Sequence, residues 1–466
     1  MDGAQNPLDA SPILPPTRAA APGPEHDRNE PITVLPAEPP ALDAIPEAER
    51  IGSLDVLRGL AMLGILVMNI QSFAMIEAAY SNPTAYGDLE GANYAVWLLS
   101  HVLADQKFMT IFAMLFGAGI VLMTSRREKA GLTSAGVHYR RMGALALFGL
   151  LHAYLLWYGD ILFSYALCGM LVYPLRRLHS GIQLVLGIVC IAAPSVLLLL
   201  LGGLLAWISA SPHVSEAVRE QIKEGLQRSW QPSAEVIEAE LAAYRGSWLQ
   251  EFEERWPSTL AVQTAGFLFL VFWRAGGLML VGMALFRLGF FSAARSSATY
   301  WGLVAAALCL GVPVILYGVQ WNFAEEWDAL YAIFIGTQFN YWGSILVSLG
   351  WVGLAMLVYQ QPWLRKLIRP LAAVGRMAFT NYLMQTVICT TIFYGYGFGL
   401  FGRVDRVGQI GIVFGIWIFQ ILASLLWLHL FRLGPAEWLW RCLTYGKVPL
   451  LWRETKAASP DPAYGQ

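Results

Sequence analysis

His152 and Asp160 stand eight residues apart, on either side of the Trp157-Tyr158-Gly159 turn. An imidazole can serve as base, acid or nucleophile near neutral pH. A carboxylate across a tight turn could orient the ring and hold its protonated form. The plainer reading is a neutral histidine bonded to a backbone carbonyl, helping helices pack. Asp55 and Arg58 open an apolar run that carries an amide, Asn69, at its far end. On a helix, Arg58 and Asn69 are about 1100° apart, so they point the same way roughly 16 Å apart along the axis. That face either lines a site or packs with unusual polarity, and Asp55 and Arg58 could simply pair with each other.

The same count places Asn69 about 22 Å and His152 roughly 18 Å from one membrane face, and Asn381 and Gln385 about 15 and 21 Å from it. Lys107 enters the second apolar segment from the other face. Arg274 should lie ~18 Å below that face, where a cation needs an anion or a substrate. Such a polar layer costs several kcal/mol unless its members pair or line water, and a shared outward-opening cavity explains it most economically. The expected catalytic residues are His152 and Asp160. The expected substrate-binding residues are Asp55, Arg58, Asn69, Lys107, Arg274, Asn381 and Gln385. No Walker, Rossmann, zinc or Ser-His-Asp spacing is present, and no metal is expected.

These residues are carried by long apolar segments. The 466 residues are 56% hydrophobic and only 14% charged, which excludes an ordinary soluble globule. About ten segments approach or exceed the ~18–20 residues that cross a bilayer as a helix: 54–75, 93–124, 140–157, 160–176, 181–207, 262–288, 297–318, 333–358, 371–394 and 408–431. Arginines and lysines follow every second segment (Arg126, Arg127, Arg176, Arg177, Arg287, Arg295, Arg365, Lys366, Arg432, Arg441), while acidic residues fill the loops between. Only Arg403 and Arg406 blur the alternation. Cationic loops face the cytoplasm, which places both termini inside a bacterial plasma membrane.

The expected fold is an all-α polytopic membrane protein of about ten transmembrane helices. Residues 1–50, rich in Pro and Ala, read as a disordered cytoplasmic tail. Residues 51–208 form a first five-helix half, 209–258 an extracytoplasmic helical insertion, and 259–432 a second five-helix half. Residues 433–466 form an interfacial helix and a cytoplasmic tail. The insertion reads either as a lid over an outward-open site or as a tether between halves. The five cysteines lack paired spacing and read as small hydrophobes. The lipid bilayer is the expected partner, no nucleic acid is expected, and the oligomeric state is open.

Five runs resemble the YeiB-like family of bacterial inner-membrane proteins (domain of unknown function 418). They are Arg50-Ile-x-Ser-Leu-Asp-Val-Leu-Arg-Gly-Leu-Ala-Met-Leu-Gly-Ile-Leu-x-x-Asn69, Lys107-Phe-x-x-Ile-Phe-x-Met-Leu-Phe-Gly-Ala-Gly119, His152-x-x-x-x-Trp157-x-Gly-Asp160, Gly375-Arg-Met-Ala-Phe-Thr-Asn-Tyr-Leu-Met-Gln385 and Gly434-Pro-x-Glu-Trp-Leu-Trp-Arg-x-Leu-Thr-Tyr-Gly446. The first run is also similar to that of the transmembrane acyltransferase superfamily. That resemblance implies transfer of an acyl group from cytoplasmic acyl-CoA, as cosubstrate, to a glycan or lipid acceptor on the far side. Many of those enzymes carry a catalytic histidine where this chain has Asn69. Here the next histidine is His101, so His152 is the substitute drawn from this chain's own residues. A transporter of a small, anionic solute and a non-catalytic scaffold or sensor are the rival expectations.

Overall fold

The computed structural model describes residues 51–453. The 1–50 tail, and the part of the 433–466 segment beyond residue 453, lie outside the described residues. The described residues are almost entirely helical. In chain order they form α1 (Gly52–Ala74), α2 (Glu77–Ser81), α3 (Gly91–Leu103), α4 (Lys107–Lys129), α5 (Ala135–Leu155), α6 (Leu162–Val172), α7 (Ser180–Ala210), α8 (Glu216–Trp230), α9 (Ala234–Tyr244), α10 (Trp248–Ala261), α11 (Phe272–Arg287), α12 (Ser297–Ala306), α13 (Val312–Ala324), α14 (Ala329–Tyr331), α15 (Thr337–Gln360), α16 (Pro362–Arg376), α17 (Ala378–Phe393), α18 (Arg406–Leu430) and α19 (Pro435–Tyr445). Wide-turn helix over Val262–Val271 joins α10 to α11 without a break, and similar stretches join α12 to α13 and α14 to α15.

This is an all-α polytopic membrane protein. Among the described residues, seven helical runs are long and apolar enough to cross a bilayer: 52–74, 91–129, 180–210, 248–287, 297–324, 329–360 and 406–430. Three of the ten expected segments map to shorter or more polar helices. The 140–157 segment is α5, whose first two turns carry His138, Arg140 and Arg141. The 160–176 segment is the 11-residue α6 followed by a tight Pro174-containing turn. The 371–394 segment is the end of α16 and all of α17, broken at Met377. The insertion also differs from expectation: α8 and α9 are separate helices, but residues 248–258 already belong to the helix that continues to Arg287, so the 258/259 boundary falls inside it.

α1 is the central element. Its most apolar window is 78% buried, against 22% for α7 and α18, which therefore lie at the periphery. α1 packs on α16, α4, α17 and α18, while α11 packs on α7 and α4. Glycines set the tightest crossings. A Cβ on Gly59 would lie 1.9 Å from the Leu371 carbonyl oxygen, and one on Gly375 would lie 1.9 Å from that of Asp55. Backbones can approach this closely only through small residues, the usual device in membranes, where helices gain little from burying apolar surface. The glycines of the first and fourth sequence runs thus meet each other.

Arg406 explains the blurred charge alternation. It is 2% exposed, and its guanidinium donates to the Asp88, Pro83 and Tyr86 carbonyls at 2.6, 3.0 and 3.3 Å. It is a structural pin for the 82–90 loop rather than a free loop charge.

Candidate functional site

Two buried polar clusters occupy the helical body. The first is built on α5 and α17. His152 is 2% exposed and Asp160 3%. The Nδ1 of His152 lies 2.9 Å from Asp160 Oδ1, and its Nε2 lies 2.9 Å from Thr386 Oγ1. An ionised carboxylate can only accept, so Nδ1 carries the hydrogen, and in the neutral ring Nε2 accepts from the Thr386 hydroxyl. The other Asp160 oxygen accepts from the Phe163 amide at 2.8 Å, which fixes the carboxylate at the start of α6. The Tyr382 ring sits 5.0 Å from the imidazole, and its hydroxyl accepts from the Ile161 amide at 3.3 Å. Hydroxyl, imidazole and carboxylate therefore stand in one line, the arrangement that activates a hydroxyl as a nucleophile. Thr386 and Tyr382 carried no signal in the sequence: Thr386 is 234 residues from His152, and a lone threonine in an apolar helix reads as bonding its own backbone.

The end of α5 is held by α10. Arg255, on α10, donates to the Ala153 and Tyr154 carbonyls at 2.7 and 2.9 Å, and the Trp248 indole donates to the Leu155 carbonyl at 3.0 Å. Arg255 also pairs with Glu251 one turn earlier. A cation on the last carbonyls of a helix satisfies orphan acceptors and complements the helix dipole. The helix that continues into α11 is thus bonded to the end of α5, next to His152.

Asn381 and Gln385 lie one turn apart on α17, next to this relay, and face α18 and α1. Asn381 donates to Ser424 Oγ at 3.0 Å and to the Val374 carbonyl at 3.1 Å. Gln385 donates to Gln420 Oε1 at 2.9 Å and to the Met62 carbonyl at 3.2 Å. Their amides serve as rungs between helices. Asn69 is half-buried, and among the described residues its side chain has no hydrogen-bond partner; only its carbonyl is bonded, by Ser72.

The second cluster joins the break between α3 and α4 to α15. Lys107 is fully buried, and its amine donates to the His101 carbonyl at 2.6 Å and to Asn340 Oδ1 at 2.5 Å. Asn340 donates in turn to Asp105 at 2.7 Å, and His101 lies 3.2 Å from the same carboxylate oxygen. Gln106, at the break, has φ 63°, a left-handed conformation that a non-glycine residue holds only under constraint. Arg274 adjoins this ring. It donates to the Tyr341 carbonyl at 3.1 Å and to Ser344 Oγ at 2.9 Å, and stacks 4.0 Å over the Tyr341 ring. These direct partners are neutral, while Asp105 of the ring lies within electrostatic reach of the Arg274 guanidinium and supplies an anion. Lys107 and Arg274 thus belong with each other and not with His152.

Asp55 and Arg58 pair at 2.9 Å. Arg58 lies within electrostatic reach of Arg141, as does Arg441, and Arg141 stacks 4.3 Å over Trp440. Arg141 and His152 are eleven residues apart on α5, as Arg58 and Asn69 are on α1. The basic residues are therefore about 16 Å from the polar ones along both helices.

α19 locks onto the start of α17. Glu437 accepts from the Phe379 and Thr380 amides at 2.8 and 3.1 Å and from the Thr380 hydroxyl at 2.5 Å, while Thr380 accepts from the Ala436 amide at 3.1 Å. Burial raises the Glu437 carboxyl, and the Thr380 hydrogen bonds oppose that rise. The fourth and fifth sequence runs cap each other here.

A cavity of about 460 Å3 lies between α7, α11, α13 and α15, and a water-sized one of about 10 Å3 lies beside Gln71, Gln409 and Arg406. Neither is lined by Asn69, His152, Asn381 or Gln385, so the expected shared cavity is not one of these two. Among the described residues, no group of three or more His, Cys, Asp or Glu could hold a metal ion.

Comparison with known proteins supplies the family. Residues 285–447 match the family described as "Protein of unknown function (DUF418)". The chain is 34% identical over 412 residues to "Uncharacterized protein YeiB" of Escherichia coli (strain K12), covering 85% of this chain and 96% of that protein. It is 30% identical over 432 residues to "Uncharacterized protein YxaH" of Bacillus subtilis (strain 168), covering 88% and 97%. With the similarity running through nearly the whole of both relatives, the chain belongs to the YeiB-like DUF418 family.

Proposed function

We propose that this protein is a membrane acyltransferase in which Thr386, His152 and Asp160 handle the acyl group. The observation that carries the reading is the Thr386–His152–Asp160 line of hydrogen bonds, 2.9 Å at each side of the ring. The donor is an acyl-CoA, with its phosphates at Arg58, Arg141 and Arg441 and its thioester directed along α1 and α5. His152 takes the Thr386 proton as the hydroxyl oxygen attacks the thioester carbonyl. The carbon–sulfur bond then breaks, and the thiolate leaves with the proton from His152, giving a threonyl ester and free CoA. An acceptor hydroxyl of a glycan or lipid headgroup, deprotonated by the same ring, attacks that ester, and His152 returns the proton to Thr386. Asp160 keeps the Nε2 lone pair of His152 aimed at Thr386 throughout. Asn69, whose side chain lacks a hydrogen-bond partner among the described residues, is the amide assigned in this proposal to the developing oxyanion.

The test is incubation of purified protein with radiolabelled acetyl-CoA. The expected result is base-labile label on the peptide containing Thr386, lost in Thr386→Val and His152→Ala while the melting temperature holds. Label that persists in Thr386→Val, or no acyl-CoA consumption at millimolar donor, defeats the proposal.

A second reading, transport of a small anion, is favoured by the broken α3–α4 helix with Gln106 at φ 63° and by Arg274, which has only neutral direct partners. Discontinuous helices commonly form transporter sites. Counterflow of a labelled carboxylate or phosphate in proteoliposomes, lost in Arg274→Gln, would select it.

A further inference from the structure

We propose that the groove between α7, α11, α13 and α15 holds an acyl chain of an anionic phospholipid whose phosphate rests on Arg287 and Arg177. The groove has a volume of about 460 Å3, and every residue lining it is apolar or glycine. Its floor is buried, with Ile191 2% and Leu278 3% exposed. Its rims are open, with Ile188 54% and Trp342 38% exposed. Leu184 and Leu285 mark one end, and Ile191 and Leu278 the other. That is seven residues along each helix, about 10 Å.

The end at Ile191 is closed by hydrogen bonds. Tyr341 donates to the Ile191 carbonyl at 2.7 Å, Trp342 to Ser195 at 3.0 Å, and Ser195 to Gln338 at 2.6 Å. The groove therefore opens sideways, toward the medium around α7, which is the hydrocarbon of the bilayer. An apolar recess left empty there forfeits the dispersion contacts of its walls, and hydrocarbon is what surrounds it.

The end at Leu184 and Leu285 supplies the charge. Leu285 precedes Arg287 by two residues, and Leu184 follows Gln183, whose Oε1 lies 3.3 Å from the Arg287 guanidinium. Arg287 also holds the Leu178 and Arg176 carbonyls, and Arg177 is 71% exposed. Arg176 and Arg177 share one carboxylate, Glu128, at 3.1 and 3.0 Å. Three guanidiniums against one carboxylate leave two positive charges where a phosphate would sit over a chain in the groove. Guanidinium forks suit phosphate oxygens, and each arginine near a membrane surface is worth roughly 1 kcal/mol toward anionic lipid, about fivefold.

This site is independent of the acyl-transfer reading. The full chain in phosphatidylcholine nanodiscs is irradiated with trace phosphatidylglycerol bearing a mid-chain diazirine, then digested and mapped. The expected label concentrates on 184–191 and 278–285. Unlabelled phosphatidylglycerol should displace it about 25-fold more effectively than phosphatidylcholine, about fivefold for each of the two arginines. Arg287→Gln with Arg177→Gln should erase that preference. Ile188→Trp, which fills the groove, should remove the groove label and leave the label on the Leu200 face of α7. Label spread evenly over Val189, Leu200 and the other exposed α7 residues, or equal displacement by the two lipids, overturns the proposal.

Discussion

His152 is gripped at both ring nitrogens, and its two partners do different things. Asp160 decides which nitrogen carries the hydrogen, and Thr386 uses the other. Asp160→Asn keeps the size of the side chain but can present an amide N–H to Nδ1, which moves the ring hydrogen to Nε2 and removes the base. Acyl transfer in Asp160→Asn should fall by about 10²–10⁴-fold with the melting temperature within a few degrees of wild type. A full rate in that variant would remove Asp160 from the chemistry. Half of this relay was legible beforehand, because His152 and Asp160 are separated only by one tight turn. Thr386 was not legible, since no local spacing links residues 234 apart. Asn381 and Gln385 lie on α17, beyond a break at Met377 that the continuous helix count did not include, and their amides bond to Ser424 and Gln420. Intramembrane amides look alike in a sequence whether they face a substrate or a neighbouring helix.

At the scale of the elements, the shared glycines are the most exposed to test. Gly59→Ala would put a Cβ 1.9 Å from the Leu371 carbonyl oxygen, forcing α1 and α16 apart. Overpacking of this kind costs about 1–3 kcal/mol or more, so the variant should melt several degrees lower in detergent. Gly143→Ala on α5 meets nothing within 4 Å. It should be neutral, or stabilising by about 0.5–1 kcal/mol through helix propensity. Equal melting temperatures for the two variants would contradict the crossing described for α1 and α16. The apolar segments foretold most helices to within a few residues. The breaks inside them were missed: the polar run Asp105-Gln106-Lys107 at the α3–α4 elbow and Gly375-Arg376 before the α16–α17 break at Met377 are too brief to interrupt an apolar segment. Lys107 bonds back to the His101 carbonyl and across to Asn340 on α15 in one case, and Glu437 caps the start of α17 in the other, so both breaks draw on distant residues.

For the molecule as a whole, the segment after α7 is tied to the helical body at several points. Glu240 on α9 accepts from the Glu77 amide at 2.8 Å, Tyr244 stacks on Phe401 at 4.4 Å, and Trp230 donates to the Trp327 carbonyl at 2.8 Å. Burial, with smaller contributions from Glu77 and Glu254, pushes the Glu240 carboxyl up to about 7 from its ordinary 4.5. Between those values the folded chain holds a proton that the unfolded chain has released, so stability falls as pH rises through the window. Wild type should lose more melting temperature between pH 4.5 and pH 7 than Glu240→Gln, which keeps the acceptor oxygen without the charge. Parallel pH curves for the two proteins would show that Glu240 ionises freely. The charge alternation had implied the two ends of the bundle, yet the docking of this segment was invisible, because its anchors are single aromatic and basic residues scattered through a charged stretch.

The capping of α5 by Arg255 also sets an order of events in biogenesis. The carbonyls of Ala153 and Tyr154 wait for a guanidinium about a hundred residues downstream. At bacterial synthesis rates of 5–20 residues per second, that delay is on the order of ten seconds. Until then the turn bearing His152 is held only by local bonds such as those to Asp160 and from the Leu156 and Trp157 amides. The relay is thus a late product of translation, assembled only after the second half of the chain has begun to insert. A nascent chain arrested before Trp248 would have a first half in the membrane with the end of α5 lacking its Arg255 and Trp248 partners.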